Sequence, residues 1–401
     1  MAAPQVSGAK RQRELDIIVY GATGFTGRLV VEYLAGAAPP DMKIGIAGRD
    51  AAKLDEIREH ARAKGREVKV VIAQADNPES LRAMAASAGV VITTVGPYVK
   101  LGEPLVDACV TEGTDYVDIT GEPVFVNRIL SKHGERAKAA GVRIVSCCGF
   151  DSIPHDLGAY FTMRELKPQS RVKVEGFIQA GGDISGGTWH SAIGIFSQMR
   201  DENGSNKRAW SPATHGRSVR TLKMRPHHEP EVGGWVLPFP SVDLEIISRS
   251  ASALDVYGPD FSYGHYIRIG SLPKAIGFGA AVGAVMGLSQ LEPTKKLLLR
   301  LRRPGEGPSE EVRKKGYFRV TFVAKTDGER MIARVSGGEP GYTETSKMLS
   351  EAAMALVLDR EKLPSVTGVL TPAVAFGDVL IDRLVAAGIR FEVVRRSKEA
   401  S

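Results

Sequence analysis

The stretch 15–27, Leu-Asp-Ile-Ile-Val-Tyr-Gly-Ala-Thr-Gly-Phe-Thr-Gly, constrains the fold more than any other part of the chain. Ile17, Ile18 and Val19 form a short β-branched run suited to a strand buried on both faces, and glycine follows directly. Gly21, Gly24 and Gly27 have no Cβ, so the backbone can turn tightly, approach a pyrophosphate and let the next helix pack closely on the sheet. That helix is predicted from about Gly24 through Leu34. Its free N–H groups and positive dipole end, around Thr23, Phe25 and Thr26, can hold an anion without a charged side chain. The spacing is Gly-x-x-Gly-x-x-Gly, and in a chain with 44 glycines a triplet alone also fits an ordinary loop. Its position after a strand, before a helix and at the head of a run of βα units makes it a nucleotide-phosphate turn.

The residues that follow continue the pattern. A second strand is predicted over 43–48 and a second helix over 50–64, with Asp50 as its N-cap. Arg49 ends that strand, where an NAD-specific fold places an acid on the ribose diol. An arginine can fork onto a 2′-phosphate that a carboxylate would repel, so the position favours NADP(H), although Asp50 stands beside it. A third strand over 67–73 leads to Asp76, which can reach an adenine edge or, like Asn77, cap a helix before Pro78. A fourth over 89–94 runs into Val95-Gly96-Pro97-Tyr98, a turn at the strand end where open α/β sheets bind ligands. Gly96 and Pro97 are thus cofactor candidates, and Tyr98 is a candidate neighbour of the nicotinamide. Strands over 116–120 and 142–147, with a helix over 124–140 between them, complete six alternating units. The implied architecture is α/β, a Rossmann-type doubly wound parallel sheet.

The sixth strand leads into Cys148-Gly149-Phe150-Asp151-Ser152-Ile153-Pro154-His155-Asp156. Asp151 and Ser152 can cap a helix with Pro154 in its first turn, which explains much of the stretch structurally. Asp151 and His155 also lie four residues apart beside the expected nicotinamide end, so both join Tyr98 as acid–base candidates.

Beyond residue 160 a second, α+β domain is expected through about 370, with 371–401 as a helix and strand that return to the first. Strands are predicted over 171–180, 242–250 and 261–270, a loop over 181–188 and a helix through Ser191, Ile195 and Met199. Segments 317–326 and 330–336 flank Asp327-Gly328, a strong hairpin signal. Helices follow over 342–358 and 374–387. The apolar run 275–288 falls short of the ~20 residues a bilayer span requires. It precedes Lys295, Lys296, Arg300, Arg302, Arg303, Arg313, Lys314 and Lys315. It reads either as a buried helix before a solvated basic loop, or as an acyl site or peripheral membrane contact edged with positive charge across 275–303.

Bulk properties fit a cytoplasmic enzyme. The 43% hydrophobic and 25% charged content suits a chain that buries a sizeable core, and residues 1–14 read as a flexible tail with no apolar signal segment. Cys109, Cys147 and Cys148 are too few for a disulfide framework and have no Cys-x-x-Cys spacing, so reduced thiols and no metal are expected. His-Glu-x-x-His, Gly-x-Ser-x-Gly, a Walker loop and a Tyr-x-x-x-Lys pair are all missing. The net charge of +7 suits a phosphorylated ligand or an anionic surface, but the basic residues are not interleaved with aromatics as a nucleic-acid platform requires, so no nucleic-acid partner is expected.

Five motifs in order resemble one family: Gly-Ala-Thr-Gly-Phe-Thr-Gly at 21–27, Ala-Gly-Arg at 47–49, Val-Gly-Pro-Tyr at 95–98, Tyr-Val-Asp-Ile-Thr-Gly-Glu at 116–122 and Gly-Phe-Asp-Ser-Ile-Pro at 149–154. The chain is similar to the saccharopine dehydrogenase-like oxidoreductases, and within them to the branch of mycobacterial trans-acting enoyl reductases. The resemblance implies a Rossmann domain over 15–160, a second α+β domain, a nicotinamide cofactor and reduction of a carbon–carbon double bond in a lipid-like polyketide intermediate. The expectation is an NADPH-dependent reductase of an apolar acyl substrate. A saccharopine-type amino-acid dehydrogenase and a non-catalytic NADP-binding protein at lipid surfaces are the alternatives.

Overall fold

The computed structural model describes residues 13–181, 193, 217–239, 241–300 and 307–398. The expected tail up to residue 12, the loop over 182–188, the positions Ser191, Ile195 and Met199, and Arg302 and Arg303 lie outside the described residues. In the first half the strands are β1 Leu15–Tyr20, β2 Ile44–Gly48, β3 Val68–Ile72, β4 Ala88–Thr93, β5 Asp115–Asp118 and β6 Arg143–Val145. The second half supplies β7 Arg171–Gly181, β8 Ser218–Thr221, β9 His227–Glu229, β10 Gly234–Pro238, β11 Asp260–Gly270, β12 Tyr317–Lys325, β13 Glu329–Gly337, β14 Gly368–Leu370 and β15 Arg390–Lys398. The first sheet runs β14-β6-β5-β4-β1-β2-β3, all parallel, and its order reverses between β1 and β4, which opens a crevice at their carboxyl ends. The second runs β15-β13-β12-β7-β11-β10-β9, with β8 beside β11, and mixes parallel and antiparallel pairs.

The helix Ile153–Leu166 leaves the first sheet and packs on β12 and β13 of the second. A single apolar core therefore runs from Ile17 and Val19 through Leu157 and Met348 to Phe318 and Phe322. The chain returns to the first sheet earlier than 371. The almost wholly buried helix Thr345–Leu358 lies against β1, β4 and β5, and β14 adds a seventh parallel strand. The final strand β15 does not return at all; it pairs antiparallel with β13 and edges the second sheet.

Two further expectations are corrected. The segment 242–250 is not a strand but part of the helix Asp243–Ala253: Val242, Ile246, Ile247, Ser250 and Ala251 are buried at helical spacing, and the β-branched residues hid that period. The apolar run is not buried. It forms the helix Leu272–Ser289, of which only Ala275 and Ser289 are covered.

Candidate active site at the strand ends

The glycine turn has the geometry of an anion cradle. Gly21 adopts φ +90°, and a Cβ there would stand 2.8 Å from both Thr94 Oγ1 and Val95 Cγ2, so β1 can pass this close to β4 only with glycine. A Cβ on Gly27 would lie 2.1 Å from the Gly21 carbonyl oxygen, which lets the helix Phe25–Ala37 sit directly on the turn. Gly24 differs: around its absent Cβ the nearest neighbour is the Gly21 oxygen at 3.3 Å, and the remaining space is open. Among the described residues nothing accepts a hydrogen bond from the N–H groups of Phe25, Thr26 and Gly27. A pyrophosphate placed over Gly24 would satisfy them. The side chain of Phe25 is committed elsewhere, with its ring 4.6 Å from that of Tyr342 and a Cβ on Gly307 only 2.4 Å away.

Arg49 is exposed at the end of β2 and has no ion-pair or hydrogen-bond partner among the described residues. Asp50 is spent instead on its helix, accepting from Lys53 N at 3.2 Å, so it is held off a ribose diol. Asp76, exposed past β3, and Arg49 both act electrostatically on the buried Tyr20 hydroxyl, which burial pushes up to about 12. They therefore share one rim, and capping falls to Asn77, which accepts from Ser80 N. Gly96 and Pro97 are exposed past β4. Tyr98 is not beside them in the crevice. It is 6% exposed, its hydroxyl donates to the Thr93 carbonyl at 3.0 Å, and burial raises its pKa well above the ordinary range, so it anchors the turn rather than serving as an acid. The Glu122 carboxylate holds the same turn by accepting from the N–H groups of Tyr98 at 3.0 Å and Val99 at 2.9 Å.

Of the three acid–base candidates, Asp151 alone opens to solvent. Its carboxylate would lie 3.0 Å from a Cβ on Gly121, which sets it over the end of β5. The surrounding protein still desolvates it, and with Asp243 nearby its pKa rises to about 6, a value His155 moderates. His155 itself is 1% exposed and does not reach the crevice. Its Nδ1–H donates to the Asp151 carbonyl at 3.0 Å, and burial lowers its pKa to about 4, so the ring is neutral at physiological pH. It belongs to a buried trio that the sequence did not reveal, because Asp243 and His265 come from the second domain. Asp243 stands 3.5 Å from His155 Nδ1 and 3.5 Å from His265 Nε2. The donor atoms of the three residues lie within 4.8 Å of one another, a spacing and donor set that can hold a divalent ion. The trio also has partners of its own: Asp243 accepts from the hydroxyls of Ser152 and Ser241, and His265 Nδ1 is 2.8 Å from the Tyr263 hydroxyl.

A second feature, the turn before the helix Thr345–Leu358, was also missed. The turn at Pro340–Glu344 is tied by the Glu339 carboxylate, which accepts from the N–H groups of Gly341, Tyr342 and Thr343. From it, Tyr342 supports Phe25 in the glycine turn, and Thr345 Oγ1 accepts from Phe150 N at 3.0 Å beside Asp151. One polar turn thus fixes both candidate ends of the crevice. Pro-Gly-Tyr after an acidic residue was its only mark in the sequence.

Comparison with known proteins agrees with this geometry. Residues 17–145 match the family described as the saccharopine dehydrogenase NADP-binding domain. A Mycobacterium tuberculosis protein with the provisional name trans-acting enoyl reductase is 37% identical, over 96% of this chain and 98% of that one. The trans-acting enoyl reductase of Mycobacterium ulcerans is 33% identical over 96% and 99%. Among solved structures, apo saccharopine dehydrogenase (L-Glu forming) from Saccharomyces cerevisiae superposes with a TM-score of 0.54 over 96% of this chain and all of that one, and at 14% identity this is a likeness of fold alone.

Proposed function

The chain belongs to the trans-acting enoyl reductase family, which makes it an NADP(H)-dependent oxidoreductase, and from that premise we propose that it reduces a carbon–carbon double bond in an apolar, acyl or polyketide-like substrate. The observation that carries the reading is the crevice itself. At one end is an open phosphate cradle over Gly24, and at the other is a solvent-facing carboxyl, Asp151, held with a raised pKa. In this reading the N–H groups of Phe25, Thr26 and Gly27 bind the pyrophosphate, Arg49 forks onto the 2′-phosphate, and Asp76, Gly96 and Pro97 border the cofactor. Bound NADPH supplies a hydride to one carbon of the double bond. Asp151 delivers its proton to the other carbon, becomes a carboxylate and is reprotonated from the solvent it faces. Desolvation and Asp243 keep that carboxyl protonatable, and His155, bonded to the Asp151 carbonyl, holds its backbone in place.

The enzyme is proposed to work in the cytoplasm and to meet its substrate at a lipid surface, touched through 275–303. The test is NADPH oxidation against a panel of long-chain enoyl, keto and imino substrates. Turnover of the enoyl members supports the reading, and turnover of imino acids alone transfers the chain to amino-acid chemistry. NADPH binding without turnover of any substrate makes it a non-catalytic binding protein.

A further inference from the structure

The helix Leu272–Ser289 has no cover adequate to its composition. Ile276 is 65% exposed, and Phe278, Leu288, Leu291 and Leu297 stand out with it, while 11% of the helix is buried. Gly277, Gly279, Gly283 and Gly287 have nothing within 4 Å of an added Cβ, so the face they leave is flat and empty. Glycine is the weakest helix former after proline, and no ion pair lies within the helix among the described residues, so it lacks the usual supports of a free helix in water. By length and composition it is the one described helix able to cross a membrane. The topology is against a crossing. Its N-terminus continues from β11 in the second sheet, the next helix Glu292–Arg300 packs back on it, and residue 307 is already against Phe25. Seven residues reach about 24 Å at full extension, so Arg300 cannot be on the far side of a bilayer some 30 Å thick.

Charge identifies the partner. Between residues 271 and 300 the chain has Lys274, Lys295, Lys296 and Arg300 against the single acid Glu292, which lies 3.4 Å from Lys295. Lys274, Lys296 and Arg300 are exposed, with no ion pair among the described residues. Basic groups thus stand at both ends of an uncovered apolar helix, the arrangement of a segment lying in the headgroup plane with its lysines on lipid phosphates. We propose that the pair of helices Leu272–Ser289 and Glu292–Arg300 docks in the plane of an anionic phospholipid surface, without crossing it. This deepens the lipid-surface contact proposed above and rests on it, but it is independent of the reaction catalysed. The reach from Arg300 to Gly307, which lies against Phe25, keeps the Arg300 end of the docked pair within about 24 Å of the glycine turn, on the side from which a lipid-borne acyl chain could be handed to the crevice.

The test uses the full chain in flotation with phosphatidylglycerol-containing vesicles, phosphatidylcholine vesicles and no lipid, each with an NADPH titration as a check on folding. Binding is expected to phosphatidylglycerol, weakened by salt. Lys295→Ala with Lys296→Ala should lower it about 30-fold, at about 1 kcal/mol per basic residue near an anionic surface. Ile276→Ala should lower binding about 50-fold from three lost methylene equivalents, with NADPH affinity unchanged. Absence of binding to any vesicle overturns the proposal. So does a dimer in sedimentation that Ile276→Ala dissociates, since a second copy would then own the face. Vesicle binding without enoyl turnover sinks only the assigned reaction, and turnover of a soluble enoyl substrate without vesicle binding sinks only the docking.

Discussion

Gly24→Val and Gly27→Ala separate two roles of neighbouring glycines, and the structure sets the size of each effect. Gly24 has φ −73° and ψ 164°, extended backbone that any residue adopts, and its missing Cβ meets only the Gly21 oxygen at 3.3 Å. A valine there points into open space, so it should cost the fold under about 1 kcal/mol, the size of an unfavourable helix cap. The same space is where the pyrophosphate is proposed to sit. Loss of two charge-assisted hydrogen bonds at roughly 1.5 kcal/mol or more each weakens NADPH about 100-fold or beyond. Gly27→Ala meets backbone instead, at 2.1 Å from Gly21 O, 2.8 Å from Gly21 C and 2.9 Å from Ala22 Cα. No rotamer relieves those contacts. Overpacking of this kind costs roughly 1–3 kcal/mol, which lowers the melting temperature by several degrees at about 2–4 °C per kcal/mol. Thermal unfolding without cofactor and calorimetric titration with NADPH read the two effects separately. A well-folded Gly24→Val protein that binds NADPH normally would refute the phosphate site, and an unshifted melting temperature for Gly27→Ala would refute the packing of the turn.

Arg49→Glu should weaken NADPH by about 10- to 150-fold while leaving NADH nearly unchanged, the range of one charge-assisted bidentate contact; equal losses in titrations of both cofactors would remove Arg49 from the 2′-phosphate. As the proposed proton donor, Asp151 must be protonated. With its pKa raised to about 6, kcat should be flat below that pH and fall about tenfold per unit above it, and Asp151→Asn should abolish this limb and lower kcat by roughly 100-fold or more at an unchanged NADPH affinity. An unaltered pH profile in that variant would assign the proton to another group. Gly158→Val should destabilise the protein by roughly 1–3 kcal/mol without touching the crevice, because a Cβ there stands 2.4 Å from the Phe322 ring and 2.9 Å from Val335; a wild-type melting temperature would contradict the packing of this helix on the second sheet.

What the sequence disclosed and what it withheld divide along physical lines. The βα units were legible because most strands are short apolar runs closed by glycine or a cap, and such signals are local: β1 ends at Tyr20, directly before Gly21, and Asp50 caps the second helix, Ala51–Ala63. The hairpin at Asp327-Gly328 was legible for the same reason. Helix 243–253 was misread because burial on one face needs the partner to be known, and Val242, Ile246 and Ile247 satisfy either period over so short a run. At the proposed site, Gly24, Arg49 and Asp151 could be singled out from the turns they occupy. Tyr98 and His155 could not be placed inside or outside the crevice, since a single rotation about the backbone decides it. Asp243 and His265 stand far from His155 in the chain, and no spacing connects them. The apolar run was visible, but its exposure is a property of what fails to pack on it.

The helix Thr345–Leu358 lies across β1, β4 and β5, and β14 pairs with β6, so the nucleotide-binding half is completed by residues made after most of the second sheet. A fragment ending near residue 145, although it contains every strand from β1 to β6, would expose the sheet face that Met348, Leu349, Ala352 and Leu356 cover and would leave Phe25 without Tyr342. It should not fold as a free module. During synthesis at about 5–20 residues per second, roughly 15–65 seconds separate the emergence of the glycine turn from that of its covering helix. Throughout that interval the first sheet is unfinished on the ribosome, with the face that the helix Thr345–Leu358 covers still open.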